Sequence, residues 1–174
     1  MSVTDRVVGV LALRASVFEE IEADKSANGQ ALAIVVTGTI AAGLAGGQYG
    51  GLGRMMLETI GAVVGLVIWA ALTYVLGVKV LPEPETRSDL GELLRVMGYA
   101  TSPTLFTVLG AVPIAGRIVP LAISVWLLAT FTIAVRQALD YRSTTRALVV
   151  VIVGWLFWVW SRDFGIPWVW GVLF

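Results

Sequence analysis

The stretch LLRVMGYATSPTLFTVLGAVPIAG, residues 93–116, decides the fold of this 174-residue chain. It is nearly as long and apolar as the roughly 20 residues that cross a bilayer, yet it contains Arg95, Pro103 and Pro113. A proline lacks the backbone donor and clashes with the preceding helical turn. The stretch therefore predicts a membrane helix that kinks or breaks near Pro103. Three neighbouring hydroxyls can hydrogen-bond the freed carbonyls: Thr101, Ser102 and Thr104.

The composition indicates an integral membrane protein with a single domain, residues 1–174. Hydrophobic residues make up 57% of the chain and charged residues 14%, whereas soluble domains carry about 25% charged residues. The formal net charge is zero, so no nucleic-acid partner is expected. There is no cysteine or histidine, which excludes thiol and histidine chemistry. Catalytic motifs are also missing, and we expect neither an enzyme nor a cofactor or metal site.

Five segments are apolar enough to be candidate spans, and they lie near residues 31–47, 60–80, 96–114, 118–135 and 143–161. The polar segments between them are short, which makes successive spans antiparallel neighbours. The predicted fold class is therefore all-α, a polytopic membrane helix bundle with five transmembrane helices.

Lysine and arginine are distributed unevenly between the two sides of such a bundle. Nine would lie on one side: Arg6, Arg14, Lys25, Lys79, Arg87, Arg95, Arg136, Arg142 and Arg146. The other side would hold Arg54, Arg117 and Arg162. Because basic residues near span ends stay in the cytoplasm, the N-terminus is predicted to be cytoplasmic and the C-terminus outside. Four or six spans would spoil this alternation.

Both termini carry patterns typical of a membrane surface. In residues 1–27, apolar residues follow helical spacing and predict an amphipathic helix lying on the membrane: Val3, Val7, Val10, Leu11, Val17, Phe18 and Ile21. Most of the seven tryptophans fall near the C-terminus. There, residues 164–174 are predicted to form an aromatic interfacial tail. A docking surface for another membrane protein is the alternative for this tail.

Small residues four apart mark the first two predicted spans and let helix backbones approach closely in lipid. These are Gly38, Ala42 and Gly46, followed by Gly61 and Gly65. Packing within the monomer is the favoured interpretation, and a seam between copies of the chain is the alternative.

Two groups of carboxylates fall on the predicted cytoplasmic side. The first comprises Glu19, Glu20, Glu22 and Asp24, and the second Glu83, Glu85, Asp89 and Glu92. They could bind a hard cation, but no calcium-loop motif is present and basic residues are close by. We therefore favour salt bridges or a solvated face.

Polar residues at membrane depth are functional candidates by default. Arg95 and Tyr99 lie one turn apart, and Arg95 is expected to extend its charge to the interface. Arg136 and Asp140 have the spacing of a helical ion pair. No predicted span has an ionisable residue near its centre, which disfavours ion-coupled transport.

Several stretches resemble the Yip family, the Ypt/Rab-interacting-protein domain superfamily of five-span membrane proteins, and its bacterial members in particular. They are FEEIEAD before the first span, RVMGYATSP opening the third, Trp126 in the fourth, AVRQALD closing it and TTRALVV opening the fifth. Together they cover residues 18–155 in order.

The resemblance implies an all-helical bundle with a cytoplasmic N-terminus and makes Gly98, Tyr99 and Pro103 the recognisable core. Eukaryotic relatives are associated with small GTPases and vesicle traffic through longer N-terminal regions than the one here, whereas bacterial relatives generally lack an assigned activity. The implied location is the bacterial cytoplasmic membrane.

The leading functional hypothesis is a non-catalytic membrane protein that organises or accompanies other membrane proteins, as a scaffold, accessory subunit or adaptor. Expected partners are membrane lipids and other membrane proteins or further copies of the chain. The alternative is a small-solute transporter, channel or lipid-handling protein with the kinked third span lining a path. Candidate interaction residues are Arg95, Gly98, Tyr99, Pro103, Trp126, Arg136 and Asp140.

Overall fold

A computed structural model describes residues 1–45, 51–112, 115–116 and 118–160, with side chains up to residue 157. Within these ranges the secondary structure is helical, as predicted, and contains no strand. The α-helices in chain order are α1 (Val3–Leu11), α2 (Ala15–Ala23), α3 (Ala27–Ala45), α4 (Gly51–Tyr74), α5 (Leu90–Ala100), α6 (Ile118–Ala138) and α7 (Thr144–Trp160). A π-helix (Val75–Val80) continues α4, and a 3₁₀ helix (Ser102–Ala111) follows α5.

Three helical stretches are long and apolar enough to cross a membrane: Ala27–Ala45, Gly51–Val80 and Ile118–Ala138. They coincide with the first, second and fourth predicted spans. The third predicted span is divided between α5 and the 3₁₀ helix, and the fifth corresponds to α7, whose apolar part Thr144–Phe157 is shorter. The count of five crossings therefore stays a prediction. Gly46 and the aromatic tail, residues 164–174, lie outside the described residues.

The N-terminal segment forms two helices, where one was predicted. The chain reverses at Leu13, whose φ of 58° is left-handed, and α1 and α2 then pair as an antiparallel unit that we call the N-terminal hairpin, residues 3–23. Gly9 makes this pairing close, because a Cβ there would lie 2.5 Å from Cγ2 of Val17. The expected apolar face exists, but Phe18 and Ile21 on it are fully buried by protein. Helix α2 contacts α5 and α6, so this face does not rest on lipid.

Helix α5 lies at the centre of the bundle and contacts α2, α3, α4 and α6. It begins with a capping box in which Asp89 accepts from the backbone of Glu92 and Glu92 accepts from that of Asp89. Every residue from 95 to 100 is buried. Gly98 allows α3 to approach, since a Cβ at this position would lie 2.8 Å from Cβ of Ala31. An apolar, glycine-containing helix is therefore enclosed on all sides.

The predicted break at Pro103 is confirmed. Helix α5 ends at Ala100 and the chain continues as a 3₁₀ helix. The Ser102 hydroxyl donates to the Tyr99 carbonyl at 2.6 Å, the carbonyl that the amide of residue 103 would bind in an α-helix. Thr101 and Thr104 donate in the same way to carbonyls of the preceding turn. Because a 3₁₀ helix rises about 2.0 Å per residue, this 10-residue segment is about 20 Å long.

One carbonyl of the π-helix accepts a hydrogen bond from a side chain that is distant in the sequence. In its hydrogen-bonding pattern the Gly77 carbonyl would pair with the amide of residue 82, which is proline and has no donor. The Tyr141 hydroxyl lies 3.0 Å from this oxygen and 2.7 Å from the Leu81 carbonyl. The end of the α4 unit is thereby joined to the turn between α6 and α7.

The small residues of the first two predicted spans pack unequally. Gly38 is buried, and a Cβ there would lie 2.0 Å from Oγ1 of Thr104, so this glycine lets α3 contact the 3₁₀ helix. Gly65 is buried and Gly61 half-buried, whereas Ala42 is exposed. Packing within the monomer is thus the role of Gly38, and the exposed Ala42 leaves a seam between copies as a prediction.

Candidate functional site

A buried arginine joins the N-terminal hairpin to two helices of the bundle. Arg6 is 4% exposed. Its Nη2 donates to Asp24 at 2.5 Å and to Glu20 at 3.1 Å, and its Nη1 donates to Oε1 of Gln30 at 2.9 Å. The Tyr99 hydroxyl donates to the same Gln30 oxygen at 2.5 Å. One amide oxygen therefore connects α1, α3 and α5.

The charges in this network hold one another in the ionised form. Burial by itself would lower the pKa of Arg6, but its hydrogen bonds to Asp24 and Glu20 outweigh this and raise it. Hydrogen bonds from Ser26 and Arg6 lower the pKa of Asp24 to about 2. The pKa of Glu20 is lowered chiefly by the ammonium group of Met1, 2.9 Å away. The network is therefore charged throughout the physiological pH range.

A second buried arginine caps the end of α2. Arg95, also 4% exposed, donates through Nε at 3.1 Å and Nη2 at 2.6 Å to the Glu22 carbonyl. Carbonyls in the last turn of a helix lack partners within that helix, and the guanidinium fork supplies two donors at once. The guanidinium of Arg95 is therefore bound by protein, and its position relative to the membrane interface stays a prediction. Its charge is held inside the protein by the hairpin.

Helix α6 caps the other hairpin helix. Trp126 donates from Nε1 to the Leu11 carbonyl at 3.1 Å, in the last turn of α1, while its ring stacks on Phe106 of the 3₁₀ helix with 5.6 Å between ring centroids. Eleven residues further along α6, Gln137 donates to Glu19 at 2.6 Å. We call the set that binds the hairpin the clamp; it consists of Gln30, Arg95, Tyr99, Trp126 and Gln137.

The predicted ion pair between Arg136 and Asp140 does not form. Helix α6 ends at Ala138, and Asp140 adopts a left-handed backbone with φ of 51°, so the two residues are no longer one helical turn apart. Arg136 donates instead to the Tyr141 carbonyl at 3.3 Å.

A polar cavity of about 300 Å³ opens beside the clamp. It is lined by Glu19, Glu22, Arg136, Gln137, Asp140, Tyr141 and Arg142. Burial, reinforced by the nearby charges of Glu92 and Asp140, raises the pKa of Glu22 to about 7. Glu22 therefore changes charge near neutral pH at the end of the hairpin.

Two carboxylates of the second acidic group form ion pairs, as the favoured interpretation of that group expected, while Asp89 and Glu92 cap α5. Glu85 pairs with Arg142 at 2.5 Å and Glu83 with Arg146 at 3.5 Å. Among the residues that the structure describes, no group of three acidic side chains is arranged to hold a metal ion. The salt bridges instead join the segment after the π-helix to the start of α7.

The structure brings together four of the candidate interaction residues. Arg95, Gly98 and Tyr99 lie on one turn of α5, and Trp126 faces the hairpin from α6. Pro103 lies one turn beyond Tyr99, while Arg136 and Asp140 line the cavity. The shared role of these four is to pack or bind the hairpin and α3 inside the chain.

Sequence reasoning missed Arg6 and Gln30. A signal for Arg6 was available, because it follows Val3 by three residues and precedes Val10 by four. That spacing places a charge on the otherwise apolar face of α1, where only a buried partner set could stabilise it. Gln30 carries no comparable signal, since a single glutamine at the start of a helix is ordinary.

The chain matches the model of a known protein family. The model of the Yip1 domain matches residues 8–161, which include the hairpin from Val8 onward, the whole clamp and the helices from α3 to α7. No curated protein and no solved structure matches the chain. The family match covers well over half of the sequence and includes the stretches from FEEIEAD to TTRALVV. This helical membrane protein therefore belongs to the Yip1 domain family.

Proposed function

We propose that this protein is a non-catalytic membrane component that organises or accompanies other membrane proteins. The observation that carries the proposal is the clamp. Its buried polar groups are engaged with the chain's own hairpin, as Arg95 is with Glu22 and Trp126 with Leu11. Side chains held in this way build a rigid scaffold and are not presented to a substrate.

The 3₁₀ helix also favours this proposal over the alternative, in which the segment lines a transport path. Its hydroxyls donate to the carbonyls of the preceding turn, as Ser102 does to Tyr99 and Thr107 does to Thr104. Large apolar side chains are exposed on the outer faces of the spans, including Leu121 and Val125 of α6 at 68% and 62%. Such faces suit lipids, other membrane helices or a second copy of the chain.

We further propose five crossings with a cytoplasmic N-terminus, in the cytoplasmic membrane of a bacterium. Contacts between distant segments support this orientation, because they gather most of the basic residues at the hairpin end of the bundle. Arg95 binds the end of α2, Gln137 binds Glu19, and Arg142 binds Glu85. Lysine and arginine concentrated at one end favour the cytoplasm.

The orientation can be tested with single cysteines, because the chain has none of its own. Ser88→Cys lies in the segment before α5, and Gly53→Cys lies at the opposite end, at the start of α4. In intact cells an impermeant maleimide should label position 53 and leave position 88 unlabelled until the membrane is opened. The reverse result would contradict the proposed orientation.

The function is tested by purification from native membranes in polymer discs, followed by mass spectrometry of the accompanying proteins. We expect a stoichiometric membrane protein with the wild type and less of it with Arg6→Met, which loosens the hairpin. Lys25→Met is the matched control, since Lys25 is exposed beside the same ions.

Recovery of only this chain and lipid would contradict the proposal. It would favour the alternative of a transporter, channel or lipid-handling protein, and solute flux in liposomes would then be compared for wild type and Pro103→Ala. Dependence of flux on Pro103 would place the path along the 3₁₀ helix.

A further inference from the structure

The N-terminal hairpin has a second apolar surface that the clamp does not cover. Its tip, residues 8–15, exposes Val8 at 53% and Leu13 at 39%, while the opposite face is buried. Val8 on α1 and Leu13 at the turn form the exposed apolar edge of the tip, and Arg14 beside them is also exposed. What covers this edge depends on where the tip lies along the spans.

The contacts along α6 show how the hairpin is inclined. Its charged end meets α6 at Gln137 through Glu19, and its tip meets α6 at Trp126 through Leu11. These two positions of α6 are about 16 Å apart along the helix axis, at 1.5 Å per residue. The hairpin therefore runs along the candidate span α6. The distance that it covers is close to the thickness of one leaflet of hydrocarbon, which is about 15 Å.

The surface beside the tip is that of the candidate span α6. Leu121, Val125 and Leu128, which lie at the level of Trp126 on another face of α6, are 68%, 62% and 41% exposed. Trp126 also stacks on Phe106 of the 3₁₀ helix. The tip of the hairpin thus lies against α6 at the level of these exposed apolar side chains.

Charged residues become fewer along the hairpin from its charged end to its tip. Between residues 7 and 18, VVGVLALRASVF, Arg14 is the single charged residue. The end of the hairpin opposite the tip is charged, with Asp5 and Arg6 on one helix and Glu19 and Glu20 on the other. Arg14 is exposed at the tip, and its long side chain can extend its charge towards the headgroups.

We infer that the tip of the N-terminal hairpin, residues 8–15, is inserted among the lipid acyl chains of the cytoplasmic leaflet. The inference rests on the proposed orientation of the spans. The sequence predicted a helix lying flat on the membrane surface. In the inferred arrangement, one face of the hairpin packs on protein at the clamp and the opposite edge contacts lipid. The clamp sets its depth, because Trp126 and Gln137 fix two points of the hairpin along α6.

Three single-cysteine variants test the depth: Leu13→Cys at the tip, Leu128→Cys on α6 and Ala23→Cys at the exposed end of α2. Each is labelled with bimane and reconstituted in phosphatidylcholine vesicles, with unchanged circular dichroism as the folding control. Lipids spin-labelled on their acyl chains should quench position 13 about as strongly as position 128 and several times more strongly than position 23. Aqueous iodide should give the opposite order.

Each other outcome has a distinct meaning. Strong iodide quenching at position 13 would overturn the inference and place the tip in water. Protection of position 13 from both quenchers would also overturn it, by showing that protein covers the tip. If position 128 were not quenched from lipid, the assignment of α6 as a span would fail and the inference with it. The composition of the purified complex is independent of these measurements.

Discussion

The hairpin end of the molecule and the apolar interior of its spans satisfy polar groups in different ways. At the hairpin end, hydrogen bonds join residues far apart in sequence, such as Arg95 to Glu22 and Tyr99 to Gln30. Inside the spans, hydroxyls donate to carbonyls of their own helix, as Thr39 does to Val35 and Thr132 does to Leu128. Thr130 and Thr73 are exceptions, since Thr130 also reaches the Ala100 carbonyl of α5 and the buried Thr73 hydroxyl has no hydrogen-bond partner.

This difference follows from the surroundings. Side chains in lipid find no water, so a partner within the same helix is the most dependable one. Specific contact between such helices then depends on small residues and close packing. Near water, charged side chains can approach one another and are partly screened by solvent. Hydrogen bonds between residues far apart in sequence can therefore form there. Tests of each region should therefore have different readouts.

The largest expected effect is in the span interior. Gly38→Ala places a methyl group against Oγ1 of Thr104, so Thr104 must turn away and lose its hydrogen bond to the Thr101 carbonyl, or α3 and the 3₁₀ helix must separate. We expect a loss of about 2 kcal/mol in the free energy of unfolding, measured in mixed detergent micelles. Gly43→Ala in the same helix meets no atom within 4 Å and should be neutral or slightly stabilising. Equal destabilisation by both variants would contradict the packing role of Gly38.

The break at Pro103 gives the next effect. Ser102→Ala leaves the Tyr99 carbonyl without its donor in a buried position, at a cost of about 1.5 kcal/mol. Pro103→Ala supplies a new amide that can bind the same carbonyl, and membrane insertion should stay intact. The double variant should therefore be more stable than Ser102→Ala alone. Additive losses would show that Ser102 does not compensate for the proline.

At the hairpin end, Arg6→Met removes the donor shared by Asp24, Glu20 and Gln30. We expect amide hydrogen exchange in residues 3–23 to accelerate about tenfold while the spans keep their protection. Lys25→Met should leave exchange unchanged. Uniform acceleration across the chain would mean that the hairpin and the bundle unfold as one unit.

The smallest effect concerns the pKa of Glu22, which is raised from 4.5 to about 7. The folded protein binds this proton more tightly than the unfolded chain, so stability from this group is present at low pH and is lost as pH rises from about 4.5 to 7. Glu22→Gln should therefore stabilise the protein by about 1 kcal/mol at pH 8, after allowance for solvent screening. Thermal unfolding at pH 5 and pH 8 measures the difference. A variant that gains nothing at pH 8 would contradict the raised pKa.

The spans and the break at Pro103 were predictable because their signals are local. A run of apolar residues makes a helix in lipid whatever its neighbours are, and a proline disrupts the turn that contains it. The same reasoning failed for Arg136 and Asp140, whose spacing suited a helix that ends at Ala138. It also did not find the acceptor of Arg95, because this acceptor is a backbone carbonyl 73 residues away.

The sequence by itself determined the helical class, the apolar segments, the site of the break and the family. Only the tertiary structure decided that the N-terminal segment folds back at Leu13 and is held by Arg6, Arg95 and Trp126. Periodicity records which side of a helix is apolar, but the identity of the surface that covers it depends on residues far away in the chain. Protein covers one face of this hairpin because α5 and α6 supply donors for its helix ends.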